Sequence, residues 1–177
     1  MINSRNKGNT FERKICKQLT DAFGVEFIRT PHSGAFATIH KKVESIQEMQ
    51  SDITYDHNKF RWFKVIECKH YNTIRVYPDL WNPKSEIRKW IAKLEADVPD
   101  KDWLLIFQQN RSEAMALCPQ TIDNLFWTAM GKEHPIYAVV KAVPYIVLPL
   151  ADLVDSTVRQ NGSLHPADTN SAGNQAV

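Results

Sequence analysis

The stretch VIECKHY, residues 65–71, decides the fold, because it joins a buried strand to a pair of opposite charges. Val65 and Ile66 are adjacent and apolar, which is typical of a strand covered on both faces of a sheet. Side chains alternate along a strand, so Val65, Glu67 and Lys69 share one face while Ile66 lies on the other. The pattern therefore predicts a core strand whose carboxyl end carries a carboxylate beside an ammonium group.

The charged pair has two explanations. A strand end that reaches water often carries an exposed ion pair, which contributes little to stability. Open α/β sheets, by contrast, place their ligand crevice at the carboxyl ends of strands. Asp52 favours the second explanation, because the β-rich run SDITYD (51–56) would bring this carboxylate next to Glu67 if the two strands are adjacent. Two close carboxylates repel each other unless a cation lies between them, and such oxygen ligands suit Mg²⁺.

The other elements predict an α/β fold with a central mixed sheet flanked by helices. Apolar residues at helical spacing predict a helix over 10–23, and Asn82-Pro83 is a typical start for another. Short helices are also predicted within 39–49 and 150–155. Further strands are predicted at VEFIRT (25–30), DWLLIFQQ (102–109), AMALCP (114–119), IYAVVKAV (136–143) and YIVLPL (145–150). We expect one domain over 1–155, followed by a disordered polar tail over 156–177.

Composition excludes several classes of protein. No apolar run approaches the about 20 residues of a membrane span, and no signal peptide is visible, so we expect a cytoplasmic protein without a membrane partner. The three cysteines form no CxxC pair, which argues for thiols in a reducing compartment rather than a disulfide framework. There is no glycine-rich phosphate loop, so a nucleotide cofactor is not expected. A net charge of +2 is too small to identify a polyanionic partner.

Glu12 lies on the predicted first helix, and two roles are open to it. Asn9 followed three residues later by Glu12 resembles a capping box, in which the glutamate bonds back to the start of the helix. Glu12 is also a candidate third carboxylate for the cation, and the two roles are compatible. The segment around it is basic, which is typical of nucleic-acid binding and equally of a solvated helix face.

These residues resemble the D…(D/E)xK motif of the restriction-endonuclease-like nucleases, with fourteen residues between Asp52 and Glu67-Cys68-Lys69. The segments NKGNTFERKICKQL (6–19) and FIRTPHSGAF (27–36) resemble the archaeal-type Holliday-junction resolvases, which carry a KG-x-x-x-E helix, a strand ending in arginine and a serine-glycine turn. Two departures stand out. Ser51 occupies the place where this motif often has proline, and seventeen residues separate Gly34 from Asp52, which is longer than the resolvase pattern.

The resemblance implies a metal-dependent endonuclease that hydrolyses DNA, resolves four-way junctions and acts as a homodimer. It implies Mg²⁺ as the cofactor, with Mn²⁺ able to substitute. Glu12, Asp52 and Glu67 would bind the metal, and these three with Lys69 would form the catalytic set. The residues expected to contact DNA are Arg5, Lys7, Arg29, His32 and Ser33.

Two other functions stay open at this point. A duplex-cutting nuclease of the restriction or phage type would use the same residues, with the insert over 35–50 reading the DNA sequence. A non-catalytic DNA-binding protein could keep the same fold. The clustered carboxylates count against the second alternative, because a protein that only binds DNA gains nothing from negative charge beside a phosphate.

Overall fold

The computed structural model describes residues 4–30, 51–121 and 145–154, except for the side chains of Ser4, Arg5 and Tyr77. Within these ranges, six strands form one sheet and helices cover it. The elements in chain order are α1 (Ser4–Phe23), β1 (Phe27–Arg29), β2 (Ile53–Tyr55), β3 (Val65–Tyr71), α2 (Val76–Trp81), α3 (Glu86–Asp97), β4 (Trp103–Gln109), β5 (Ala114–Pro119), β6 (Tyr145–Pro149) and α4 (Leu150–Leu153).

The strands follow one another across the sheet in chain order, from β1 to β6. All neighbours are antiparallel except β3 and β4, which run parallel. A parallel pair needs a crossover rather than a tight turn, and α2 and α3 supply it. The sheet is therefore mixed and flanked by helices, which confirms the predicted α/β, restriction-endonuclease-like fold.

The two faces of the sheet pack against different helices. On one face, Ile15 and Leu19 of α1 pack in a core that contains Ile66 and Cys68. On the other face, the buried residues of α3 pack in a second core that contains Val65. The alternation predicted for residues 65–71 is thus correct, and it directs Glu67 and Lys69 toward the α3 side of the sheet.

The first helix begins earlier than predicted. α1 starts at Ser4, so Asn9 lies inside it, and the capping box predicted at Asn9 and Glu12 is wrong. Tertiary contact explains the extra turns, because the Lys7 ammonium donates hydrogen bonds to the side chains of Asn110 and Asn72 at the far ends of β4 and β3. These contacts hold a polar segment in helical form that local propensity alone would not select.

The crossover also differs from the prediction. α2 was not predicted, and α3 begins at Glu86 rather than at Asn82-Pro83. Ser85 is the N-cap, since its hydroxyl accepts a hydrogen bond from the Arg88 amide at 3.2 Å. Asn82 instead forms a turn between the two helices: its carbonyl accepts from the Ser85 amide at 2.9 Å.

Several predictions fall outside the described residues, namely the helix within 39–49, the strand over 136–143 and the tail over 156–177. The division into a 1–155 domain and a tail stays a prediction. The cysteines Cys16, Cys68 and Cys118 are buried, and no disulfide joins them. Among the described residues, none of the helices combines the length and hydrophobicity that a membrane span requires.

Candidate active site

Asp52 is fixed against β3 by its backbone and by its side chain. Ile53 of β2 pairs with Ile66 of β3, and the Asp52 amide donates to the Ile66 carbonyl at 3.1 Å. The carboxylate oxygen Oδ2 of Asp52 accepts a hydrogen bond from the backbone N–H of Cys68 at 2.9 Å. The predicted adjacency of the two strands is therefore correct, and it places this carboxylate beside residues 67–69.

Ser51 joins the same two strands through its hydroxyl. The Ser51 Oγ accepts a hydrogen bond from the Ile66 amide at 2.9 Å, and its proton can go to the carbonyl oxygen of Ile66 at 2.9 Å or of Ile53 at 2.6 Å. The residue is almost fully buried. A proline, which often occupies this place in the nuclease motif, could not make these contacts, since it has no hydroxyl.

Lys69 brings the charged groups of the site together. Its ammonium donates a hydrogen bond to Glu67 Oε1 and lies 3.9 Å from Asp52 Oδ2. The side chains of Glu67 and Asp52 are only 10% and 12% exposed, and that of Lys69 is 28% exposed. The structure thus assembles the predicted Asp52, Glu67 and Lys69 in one largely buried cluster that retains an opening at the lysine.

The charges of this cluster act on one another. Burial and the charge of Asp52 raise the pKa of Glu67, and the attraction of Lys69 offsets this only in part. Burial lowers the pKa of Lys69, but the charges of Glu67 and Asp52 outweigh it, so that the pKa is raised overall and the ammonium stays charged near neutral pH. Two carboxylates share one ammonium here. Two adjacent carboxylates form an oxygen donor set of the kind that a hard divalent cation prefers.

Glu12 lies on α1, and its partner is Arg29 of β1. The Arg29 Nε donates to Glu12 Oε2 at 2.5 Å, and the Glu12 side chain is 15% exposed. Glu12 is nevertheless electrostatically close to β3, because the pKa of the Cys68 thiol is raised by burial and then by Asp52, Glu12 and Glu67. Across the described ranges, no three His, Cys, Asp or Glu side chains are grouped so that together they could hold a metal ion.

The profile of a family described as "Phage putative PDDEXK endonuclease" matches residues 3–158, most of the chain. The chain belongs to this family. It is therefore a nuclease of the PD-(D/E)xK superfamily, as its resemblance to that motif predicted, and the family implies DNA as its substrate. Comparison with curated proteins and with solved structures gave no match.

In this endonuclease, the described residues predicted to contact DNA are engaged with other side chains. Arg29 is held by Glu12, and the half-buried Lys7 donates hydrogen bonds to Asn110 and, at 3.5 Å, to Asn72. The Arg5 side chain and residues 32–33 lie outside the described part of the chain. DNA contact by all of these residues stays a prediction.

Sequence reasoning missed the positioning residues of the endonuclease. Ser51 attracted notice only as a departure from proline, and Cys68 only as the unspecified residue of the motif, although its backbone N–H holds Asp52. From the sequence, His70 is a candidate to line the cleft because it follows Lys69, although continuing the strand is reason enough for it. Strand alternation already placed it on the face opposite Lys69, which is the signal that could have drawn attention to it.

Proposed function

We propose that this endonuclease hydrolyses DNA phosphodiester bonds with a divalent metal ion, Mg²⁺ or Mn²⁺ in its place, at Asp52, Glu67 and Lys69. The proposal is supported above all by the Lys69 ammonium, which lies close to both the Glu67 and the Asp52 carboxylates. Two buried carboxylates on adjacent strands converge on Lys69, and burial and then the charge of Asp52 raise the pKa of Glu67.

Each residue has a distinct part in this proposal. Asp52 and Glu67 would hold the ion, which when bound would supply a more acidic water and stabilise charge on the phosphate. Lys69 would orient the attacking water and donate to the scissile phosphate, since its ammonium already lies at the opening of the cluster. Cys68 would keep Asp52 in place through its backbone N–H.

Glu12 would complete the metal site as a third carboxylate. Its charge acts on the Cys68 thiol together with those of Asp52 and Glu67, which supports this assignment. Arg29 would then release the Glu12 carboxylate when the metal enters, and would become available for a DNA phosphate.

The proposed substrate is a four-way DNA junction, cut by a homodimer. The support for a junction is the resemblance of α1, with Lys7, Gly8 and Glu12, to the corresponding helix of the junction resolvases. Symmetric cutting of two strands requires two active sites related by a two-fold axis, which a homodimer provides. Duplex DNA is the second candidate, because membership of a phage endonuclease family is at least as consistent with a duplex-cutting enzyme.

The test is cleavage of a labelled four-way junction beside a linear duplex of the same arm sequence, with Mg²⁺, with Mn²⁺ and with chelator. Paired symmetric nicks in the junction alone, lost with chelator, are expected. Equal cutting of both substrates would show that duplex DNA, rather than the junction, is the substrate class. Absence of cutting with either metal, by a folded protein that binds DNA, would overturn the nuclease assignment of this site.

A matched pair of variants locates the activity in the cluster. Glu67→Gln removes one candidate metal ligand without changing side-chain size, and cleavage should fall by a factor of about 1,000 or more. Glu26→Gln makes the same chemical change at an exposed position before β1 and should cut like the wild type. Wild-type cutting by Glu67→Gln would show that the reaction takes place elsewhere.

A further inference from the structure

A cavity of about 290 Å³ lies between α1 and the carboxyl ends of β3 and β4. Lys7, Phe11 and Lys14 of α1 line it, together with His70 of β3 and Gln108 of β4. Binding pockets for small molecules start at about 300 Å³, so this space suits one planar group rather than a large ligand. None of the residues that line it is acidic.

The inner part of this cavity is aromatic. The rings of Phe11 and His70 lie 5.3 Å apart at 52°, so they form a corner against which a flat ring can pack. Phe11 is buried, and His70 is partly buried with a ring nitrogen, Nδ1, that makes no hydrogen bond to any described residue. Burial and the charge of Lys7 lower the pKa of His70, so the ring is neutral at physiological pH.

Two lysines give the cavity its positive charge. Lys14 is exposed and forms no ion pair with another described residue, whereas Lys17, one turn further along α1, pairs with Asp21 at 2.7 Å. Lys7 is held by the neutral side chains of Asn110 and Asn72, and it forms no ion pair with another described residue. An aromatic corner with uncompensated cations beside it is suited to a base and its phosphate.

The cavity adjoins the proposed active site through one strand. His70 directly follows Lys69 in β3, and the two side chains lie on opposite faces of the sheet. A DNA strand that passes the carboxyl end of β3 can therefore meet the reactive cluster on one face and this cavity on the other.

We propose that this cavity takes one unpaired nucleotide of the DNA substrate, with its base against Phe11 and His70 and its phosphate against Lys7 and Lys14. The proposal rests on the proposed nuclease function, since it is the substrate of that site that would supply the nucleotide. A base within an intact duplex would have to leave the stack to enter, and this cost is smallest at a position that is already unpaired. The cavity therefore selects DNA with unpaired nucleotides near the scissile bond.

Binding of 2-aminopurine, a fluorescent base, tests this proposal in chelator, where no cutting takes place. One duplex carries an unpaired 2-aminopurine, and a second carries the same base paired with thymine. The wild type should bind the first more tightly and change its fluorescence, because the base leaves its stacked neighbours in the DNA. His70→Ala should weaken that binding by about 5- to 100-fold, as for loss of one stacked base, whereas His70→Phe should retain it.

Two lysine variants on α1 provide the control for charge. Lys14→Ala should reduce affinity for the unpaired substrate more than Lys17→Ala, although both remove one exposed positive charge from the same helix. Equal wild-type affinity for the two duplexes, or an unchanged preference in both His70→Ala and Lys14→Ala, would overturn the nucleotide site. Loss of cleavage in Glu67→Gln with the binding preference intact would support it, because binding and chemistry would then be separable. Absence of wild-type cleavage with the preference intact would overturn the nuclease function alone.

Discussion

The backbone N–H of Cys68 donates a hydrogen bond to the Asp52 carboxylate at 2.9 Å, across the two strands that carry the candidate active site. The strand that bears Glu67 and Lys69 thereby positions the third charged group of the cluster. The Cys68 side chain points the other way, into the core under α1. The contact that matters for the site is thus made by backbone, and the side chain at this position is free to vary within the limits of core packing.

Cys68→Ala should therefore keep cleavage within a few-fold of the wild type. Removing the buried sulfur leaves a small cavity in the core under α1, which should lower the free energy of unfolding by about 1 kcal/mol. Denaturant unfolding and single-turnover cleavage measure the two effects. A folded variant that cuts more than 100-fold slower would show that the thiol itself takes part in the reaction.

The raised pKa of Glu67 makes stability depend on pH. Burial and the charge of Asp52 favour the protonated form of Glu67 in the folded state. Protonation of Glu67 therefore stabilises the fold fully below the pKa of a glutamate in the unfolded chain, about 4.3. This stabilisation is lost as the pH rises through the higher pKa of Glu67 in the folded state. Glu67→Gln is neutral at every pH. In chelator, this variant should melt at a higher temperature than the wild type at pH 7, and the difference should shrink toward pH 4.

Metal addition should reverse this order. Mg²⁺ that binds only the folded wild type stabilises it by mass action, whereas Glu67→Gln lacks one of the proposed ligands and should respond less. Thermal melts from pH 4 to 8, with chelator and with Mg²⁺, measure both the pH dependence of the difference in melting temperature and its change on metal addition. If the wild type in chelator were the more stable of the two at pH 7, the attraction of Lys69 would outweigh burial and the repulsion from Asp52.

The central strands and the reactive cluster could be predicted because both depend on local patterns. Alternation of apolar residues defines the faces of β3, and strand adjacency follows from the short connection between 51–56 and 61–71. Together these patterns place Asp52 beside Glu67 and Lys69.

Other features could not be predicted because they depend on contacts between distant parts of the chain. The start of α1 depends on Lys7 meeting Asn110, more than a hundred residues away. The Glu12–Arg29 pair forms because β1 folds back beside α1, which spacing does not reveal. Trp81 lies at the end of the unpredicted α2 and is 54% exposed.

Ser51 should contribute to both stability and catalysis. In Ser51→Ala, the buried amide of Ile66 loses the acceptor that the hydroxyl provides, which should cost about 1–3 kcal/mol of unfolding free energy. Cleavage should slow as well, because the same contacts fix the segment that carries Asp52. Ser112→Ala is the matched control: its hydroxyl donates to the Gln109 carbonyl at 3.1 Å in a turn, and its removal should cost about 0.5 kcal/mol or less. If Ser51→Ala and Ser112→Ala changed the unfolding free energy and the cleavage rate equally, the contacts of Ser51 would not be specifically important for the site.

The pair of Glu12 and Arg29 can be tested by a double-mutant cycle with Glu12→Gln and Arg29→Gln. Since the pair is largely buried, we expect a coupling free energy of about 1–3 kcal/mol in denaturant unfolding. Lys17 and Asp21, an exposed pair on the same helix, provide the control and should couple by about 0.5 kcal/mol or less.

A Mg²⁺ titration of cleavage then separates a structural role of Glu12 from a role in the metal site. If Glu12 helps to hold the metal, Glu12→Gln should raise the Mg²⁺ concentration for half-maximal cleavage. Arg29→Gln should leave that concentration unchanged or lower it, because the carboxylate is no longer engaged by the guanidinium. Matching Mg²⁺ requirements in the wild type and in Glu12→Gln would restrict Glu12 to a structural partner of Arg29, with Asp52 and Glu67 as the carboxylates of the metal site.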